Sequence, residues 1–140
     1  MQAGVRIAFG FDWPVVPPSA LAGVHAAAHR AAPGQAHAHA SEEALTPEAA
    51  LATATRTGAV LAGLQAEIGT LAVGKHADFD VLSKSPLFGE ANSALPQMLQ
   101  TYVDGRCAFG CSTGAAHAGL AQPAAWCIDA ACPNLKSVVI

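Results

Sequence analysis

Large side chains are scarce in this sequence of 140 residues, although 52% of it is hydrophobic. It contains two Trp, five Phe and one Tyr, whereas 33 of the 140 residues are Ala. Because Ala buries little apolar area, the core that this chain can build alone is thin. The length allows one domain.

Charge is also sparse: only 12% of residues are charged, and the net charge is −3 with His neutral. The absence of a basic run argues against a nucleic-acid partner. No apolar stretch reaches the ~18 to 20 residues that span a bilayer. Arg6 precedes an apolar run as in a signal peptide, but Asp12 and Pro14 interrupt it. We therefore expect a cytoplasmic protein that binds neither nucleic acid nor membrane.

The first 30 residues have the pattern of an α/β unit. A β-branched and aromatic run at residues 5–9 predicts a buried strand, and a proline-rich loop follows at 11–18. Ser19 is then expected to cap a helix that extends through Arg30, with Leu21, Val24 and Ala28 on one face.

The clearest helix start in the chain is Thr46-Pro47-Glu48, which combines a cap, a proline at the first helical position and an acid in the first turn. This helix should run to about Thr57. Gly58 should then break it, and a short helix is expected at residues 59–63.

The second half of the chain predicts a small antiparallel set of strands. A strand–turn step is expected at residues 68–75 and a strand at 78–82. Residues 98–103 and 106–109 flank Asp104-Gly105, a strong hairpin signal. Three short strands leave edges open and an apolar face half covered, so this set should not be stable alone. Beyond Gly110 an Ala/Gly-rich tail has no periodicity until residues 137–140, and we assign it no structure.

Four consecutive motifs resemble one enzyme family. Residues 3–10 (AGVRIAFG) with 12–15 (DWPV) look like the eighth barrel strand and catalytic loop of the metal-dependent amidohydrolase superfamily, closest to the amidohydrolase-3 type. Residues 45–51 (LTPEAAL) resemble the helix after that strand. Residues 68–82 (IGTLAVGKHADFDVL) are similar to the signature G-S-L-x-x-G-K-x-A-D-x-x-V-L, and 102–106 (YVDGR) look like the final hairpin.

The resemblance implies an α/β chain that is the C-terminal fragment of a (β/α)8 barrel plus part of a small β-sandwich. The implied division is residues 1–63 for the end of the barrel, 64–110 for the sandwich part and 111–140 for a poorly ordered tail. Such enzymes hydrolyse C–N bonds other than peptide bonds in small molecules, with one or two divalent metals, here expected to be zinc.

Asp12 matches the family's catalytic aspartate, which touches the metal and handles the protons of the attacking water. Its alternative role is a loop-capping acid between strand and helix. Phe11 departs from the family, which usually has a small polar residue there, and this ring could crowd the metal. The family's other ligands, including a His-x-His after strand one, come from strands that this sequence lacks. We therefore expect a fragment that is inactive alone and that can self-associate.

Two pairs of histidines have spacings found in metal sites. His37 and His39 are two residues apart, but they lie in a Pro/Gly/Ala linker, so a solvated loop is the simpler interpretation. His25 and His29 are one helical turn apart and could hold a metal ion. The simpler interpretation is that they are polar positions of a surface helix.

Other candidates have structural explanations. His76 occupies a variable position of a turn and should be structural or exposed, and Asp78 should accept backbone hydrogen bonds there. The thiols of Cys107, Cys111, Cys127 and Cys132 should be free, because their spacing matches no tight zinc motif; a structural zinc or a disulfide is the alternative.

Three functions therefore compete. The first is a metal-dependent amidohydrolase present as its C-terminal part, with Asp12 as its catalytic and metal-binding residue. The second is a non-catalytic remnant or interaction module that folds only against a partner. The third is a small Cys/His metal-binding protein. The substrate is not encoded in this stretch, since family specificity lies in the loops of strands one to seven.

Overall fold

The computed structural model of the chain describes residues 4–35, 37–87 and 89–111, and the backbone of 137–139. Its elements are three α-helices, one 3-10 turn and four strands: α1 (Ala20–His29), the turn Ser41–Glu43, α2 (Pro47–Ala54), α3 (Arg56–Leu61), β1 (Phe79–Leu82), β2 (Met98–Val103), β3 (Arg106–Phe109) and β4 (Ser137–Val139). The chain is thus mixed α/β.

Helix α1 begins and ends where the sequence predicts. The Ser19 side chain accepts a hydrogen bond from the Ala22 backbone N–H at 3.3 Å, which satisfies one free donor of the first turn. At the other end Arg30 has a φ of 54°, and its N–H donates to the Ala26 carbonyl at 2.8 Å. This left-handed residue turns the chain back along the helix.

The start of α2 is also confirmed. Thr46 caps it by accepting from the Ala49 N–H at 3.2 Å, and Pro47 occupies the first turn. Helix α1 packs against α2, and α2 packs against α3.

The break between α2 and α3 is not where we predicted it. It falls at Thr55 (φ −118°, ψ −99°), whereas Gly58 lies inside α3. The hydroxyls of Thr53 and Thr55 each donate to the carbonyl four residues back at 2.9 Å. Such back-bonding from β-branched residues weakens a helix locally, and it explains a break before the glycine.

The strands form one antiparallel sheet in the order β3-β2-β1-β4. Strands β2 and β3 have the predicted bounds, and the turn between them has positive φ at both central residues, 51° at Asp104 and 72° at Gly105. These angles are those of a type I′ hairpin turn. Phe79 is paired with Tyr102, and their rings stack with centroids 4.5 Å apart.

The buried core is small, as the composition predicts. Leu82 is the one large side chain that is completely buried in the described part of the chain. A groove of about 720 Å³ separates α1 and α2 from the sheet, and Val24, Leu51 and Leu82 lie along it.

The turn before β1 is fastened to the hairpin. The Asp104 N–H donates to the Asp78 carboxylate at 2.7 Å, and the Gly105 N–H donates to the Ala77 carbonyl at 2.9 Å. The Nδ1 atom of His76 lies 2.8 Å from the Asp104 carboxylate. The prediction that Asp78 accepts a backbone hydrogen bond is therefore confirmed, although the donor belongs to the hairpin.

Lys75 holds the preceding segment in place. Its ammonium donates to the Ile68 carbonyl at 3.3 Å, to the Thr70 hydroxyl at 2.8 Å and to the Gln65 carbonyl. These three bonds close a compact turn over residues 65–75.

The buried strand predicted at residues 5–9 is wrong for this chain. No strand is assigned between residues 4 and 35, and Val5 and Ile7 are 62% and 40% exposed. A parallel barrel strand is hydrogen-bonded on both edges and covered on both faces, and the described residues offer this segment no such neighbours.

The segment at residues 68–71 is likewise not a strand. Gly69 has a φ of 87° and lies against α3, so a Cβ there would be 2.6 Å from the Ala59 Cβ and 3.2 Å from the Arg56 Cα. Both the backbone angle and the close approach require glycine. The predicted poorly ordered tail, residues 111–140, lies outside the described residues apart from Cys111 and β4.

Replacement of Gly69 should be costly, whereas replacement of Gly58 should not. Gly69→Ala should lower the free energy of unfolding by about 1–3 kcal/mol, because it combines strain at positive φ with overpacking. Gly58→Ala should be neutral or raise it by up to about 1 kcal/mol, because Gly58 is helical and a Cβ there meets nothing within 4 Å. Urea denaturation of both variants checks this, and equal effects would contradict the packing of Gly69 on α3.

The stability contributed by His76 should depend on pH. The hydrogen bond to Asp104, and secondly the charge of that carboxylate, raise the pKa of His76 above its usual 6.5. Because the folded-state pKa is the higher one, this contribution is fully present below pH 6.5 and is lost as pH rises through the folded pKa.

The difference in Tm between the native chain and His76→Gln should therefore shrink from about pH 5.5 to about pH 8.5. An NMR titration provides the control: Asp104→Asn should return the pKa of His76 towards its usual value, whereas His37→Gln should not move it. An unchanged His76 pKa in Asp104→Asn would contradict the ion pair.

Candidate functional site

Asp12 lies at the start of the tight turn after residues 5–9. Its φ is 47°, its side chain is exposed, and its carbonyl accepts from the Val15 N–H at 2.8 Å. Within the described part of the chain the Asp12 carboxylate accepts no hydrogen bond. The turn is therefore closed by the backbone, and the alternative of a loop-capping acid has no support among these residues.

Phe11, the departure from the family pattern, packs against helix α1. A Cβ on Gly23 would lie 3.5 Å from the Phe11 ring and 3.4 Å from that of Phe9. Both rings thus rest on the helix beside Gly23, where an added Cβ would make ordinary van der Waals contact. This contact fixes the chain on the N-terminal side of Asp12.

Among the described residues, no cluster of metal ligands accompanies Asp12. Over the described ranges no group of three or more His, Cys, Asp or Glu side chains is close enough to hold a metal ion. Catalytic zinc takes about three protein ligands, so the residues present do not fit a catalytic metal by themselves. Asp12 is thus an exposed carboxylate without a fellow metal ligand in the described ranges.

His37 and His39 are both exposed in the loop after α1. The backbone of His39 makes two hydrogen bonds to Arg30. Its N–H donates to the Arg30 carbonyl at 2.8 Å, and its carbonyl accepts from Arg30 Nε at 3.2 Å. These bonds fasten the loop to the end of α1, in agreement with the simpler interpretation of this pair.

His25 corrects our view of α1 as a helix with two surface histidines. It is only 8% exposed, and its Nδ1 atom lies 3.3 Å from the Ala31 carbonyl oxygen. Its Nε2 atom is buried and finds no hydrogen-bond partner among the residues described. The His29 ring lies with its centroid 4.6 Å from that of His25. Burial, and secondly the charge of His25, lower the pKa of His29.

The expectation of free thiols is wrong for Cys107 and Cys111, which form a disulfide. Gly110, with a φ of 74°, turns the chain after β3 so that the two Cα atoms lie 6.2 Å apart, within the range a disulfide requires. Cys127 and Cys132 lie outside the described residues.

A second concave surface, a pocket of about 330 Å³, lies between α3 and the turn at residues 65–75. Three cationic side chains line it, those of Arg6, Arg56 and Lys75. The Lys75 ammonium is already engaged by three acceptors of the turn, so this cation serves the fold.

Sequence reasoning missed one feature of potential function, the buried imidazole of His25. A signal was present, because His25 follows Val24 and lies four residues after Leu21, so it borders the apolar face of α1. The Ala31 carbonyl that orients its ring depends on the reversal at Arg30, which local pattern does not reveal.

Known proteins resemble this chain over the region that contains the four motifs. Residues 1–109 match the model of the Amidohydrolase family. The chain is also similar to Protein LONG AFTER FAR-RED 3 of Arabidopsis thaliana, with 33% identity over 106 residues that cover 76% of this chain and 18% of that protein. The chain thus spans about a fifth of the length of this relative. No solved structure matches significantly.

The part of the chain that the structure describes contains no helix long and apolar enough to cross a membrane. The family match extends from the segment before Asp12 to the end of β3 and therefore includes all four motifs. On this match, the chain belongs to the amidohydrolase family.

Proposed function

We propose that this chain is the C-terminal part of a metal-dependent amidohydrolase that hydrolyses C–N bonds other than peptide bonds, and that it is inactive alone. The family match over residues 1–109 carries the proposal. The exposed apolar segment before Asp12 supports it. In a barrel, residues 5–9 would be the eighth strand, with Asp12 at the C-terminal face where such enzymes place their active site.

Asp12 is the proposed catalytic residue. Its carboxylate takes the proton of the water whose oxygen attacks the carbon of the scissile C–N bond. It then delivers that proton to the nitrogen as the bond breaks, so that the carboxylate is regenerated. The turn that carries Asp12 is closed by the backbone and follows rings packed on α1, so the backbone position of this residue is defined while its carboxylate stays exposed.

The metal must be held largely by residues outside those described. Zinc is the metal we propose for the whole enzyme, with Asp12 as one ligand. Because the described residues give Asp12 no fellow ligand, no catalytic step of this chain alone is assigned to the metal. The division into a barrel part (1–63) and a sandwich part (64–110) belongs to the same proposal.

The proposed substrate class is inferred from the family, and the proposed self-association is inferred from exposed apolar residues. We propose a small-molecule substrate for the whole enzyme and a cytoplasmic location. Val5, Trp13, Val15 and Val16 are at least half exposed, and apolar residues clustered along one segment favour association with another chain. Self-association of the isolated chain is therefore expected.

The same exposed segment favours a second candidate, a non-catalytic module that folds fully only against a partner. This candidate predicts that the chain binds a partner and that no enzymatic activity depends on Asp12. The third candidate, a small Cys/His metal protein, has no supporting cluster within residues 4–111 as far as they are described.

The isolated chain should show no hydrolase activity and no zinc site tighter than micromolar, because a single carboxylate cannot hold zinc against water. Calorimetric titration with zinc and an assay against simple amides and cyclic amides check this. Stoichiometric nanomolar binding, or turnover by the chain alone, would contradict the proposal. Analytical ultracentrifugation of the same sample should show oligomers rather than a monomer.

Asp12→Asn should inactivate a complete enzyme that carries this segment. Residues 4–110 can be grafted in place of the matching segment of an active amidohydrolase, and the unsubstituted graft is the reference. Asp12→Asn should lower kcat by ~10² to 10⁴ with little change in KM, because an amide cannot accept the proton. His37→Ala and His39→Ala should change kcat less than about threefold, as exposed loop residues do. Near-reference kcat in Asp12→Asn would favour the non-catalytic module.

A further inference from the structure

The His25 side chain is buried, and one of its two ring nitrogens has no hydrogen-bond partner among the described residues. The Ala31 carbonyl oxygen has no hydrogen, so the Nδ1 atom 3.3 Å from it must be the donor. In the neutral ring Nε2 is then an unprotonated lone pair. This atom is buried, and the described residues place no donor against it. A buried acceptor without a partner loses the hydration that it has in water, and a native fold rarely leaves it so.

The ring has the arrangement that proteins give to a metal-binding histidine. Such a ligand usually donates its other ring N–H to a carbonyl or carboxylate, which fixes the tautomer and aims the free nitrogen. His25 shows this arrangement with Ala31. Because Arg30 reverses the chain, the carbonyl comes from just beyond the helix that bears the histidine.

His29 supplies a second imidazole at the spacing that permits a shared ion. It lies one helical turn after His25, and the two ring centroids are 4.6 Å apart. Nitrogens of two imidazoles bound to one tetrahedral zinc lie about 3.3 Å apart. Since His29 is partly exposed, its ring can rotate to meet that separation.

Both rings line a narrow cleft of about 20 Å³ between α1 and the loop that connects β1 to β2. A space of this size accommodates about one water molecule, and therefore a single ion. Among the described residues of its wall, Lys84 is the one lysine or carboxylate-type charged residue, and it is exposed, so its ammonium can remain in solvent.

We propose that His25 and His29 form a two-histidine binding site for a divalent transition-metal ion of the zinc or nickel type, which would join α1 to the loop between β1 and β2. Neutral imidazole is a preferred ligand for these ions. The site is separate from the catalytic metal proposed above and does not rest on the proposed function. Two protein ligands with water imply micromolar affinity, in accord with the limit expected for the isolated chain.

The test is an NMR titration of the full chain with zinc chloride, which observes the ring nitrogens of each histidine. Before zinc, His25 should be in the Nδ1–H tautomer. Zinc should shift Nε2 of His25 and one ring nitrogen of His29, and it should leave His37 and His39 unchanged. Because the readout resolves each histidine, zinc bound only by the cysteines is distinguished by ring nitrogens that do not shift.

His29→Ala is the first variant because its side chain is partly exposed and makes no hydrogen bond within the described part of the chain. It should weaken zinc binding at the His25 ring at least about tenfold, since even the loss of an outer-shell partner costs a metal site that much. His39→Ala is the matched control and should change the affinity for zinc less than about twofold. Lys84→Ala should either have an equally small effect or strengthen zinc binding, because it removes a positive charge.

Three outcomes would overturn the proposal: an Nε2–H tautomer of His25, zinc shifts confined to other residues, or unchanged affinity in His29→Ala. If the cleft holds only a water molecule, zinc leaves both rings unshifted, and the proposal fails. If zinc shifts neither ring and Lys84→Ala weakens the binding of phosphate, the cleft is an anion site instead. None of these results bears on Asp12, so the proposed function stands or falls separately.

Discussion

The complete burial of one side chain, Leu82, is the constraint on which the rest of the structure depends. Burying a leucine contributes about 1.5–3 kcal/mol, and no other large side chain in the described residues is fully buried. The other buried apolar residues of the described chain are Val24, Val81 and the alanines 31, 50 and 59, and the alanines add little area. A chain with this core relies mainly on local hydrogen bonds to define its elements: the caps of α1 and α2 and the three bonds of Lys75. The bond from Asp104 to Asp78 adds one connection that is distant in sequence.

This dependence on local contacts explains which parts of the structure could be predicted from sequence. Helix starts at Ser19 and Thr46 and the turn at Asp104-Gly105 are determined by residues a few positions apart, and all three are confirmed. The strand at residues 5–9 was predicted from a pattern that needs distant partners, and it does not form here. The helix break lies at Thr55 rather than Gly58 because side-chain hydroxyls compete with the helix, an effect that a glycine-based rule overlooks.

The candidate site was predictable to the same extent. The motif order identified Asp12 and the family, but the described structure adds only that its carboxylate is exposed on a turn closed by the backbone. The burial of His25 and the pairing of Cys107 with Cys111 depend on two chain reversals, at Arg30 and Gly110. Both have positive φ, and single-residue reversals of this kind leave almost no trace in periodicity.

The longest of the four matched motifs makes structural contacts. In the signature around residues 74–78, the Lys75 ammonium is engaged by the preceding turn, the Ala77 carbonyl by Gly105 and the Asp78 carboxylate by Asp104. Groups engaged in this way hold the turn before β1 against the hairpin of β2 and β3, so their match to the family reports a shared fold.

Asp12 differs from these residues because its carboxylate is exposed and, in the described part of the chain, accepts no hydrogen bond that the fold requires. Removing that charge should therefore leave the described fold almost unchanged, whereas removing Asp78 should loosen the hairpin. A carboxylate that the fold does not need is free to serve a reaction, and this difference from Asp78 supports the proposal that the chemistry belongs to Asp12.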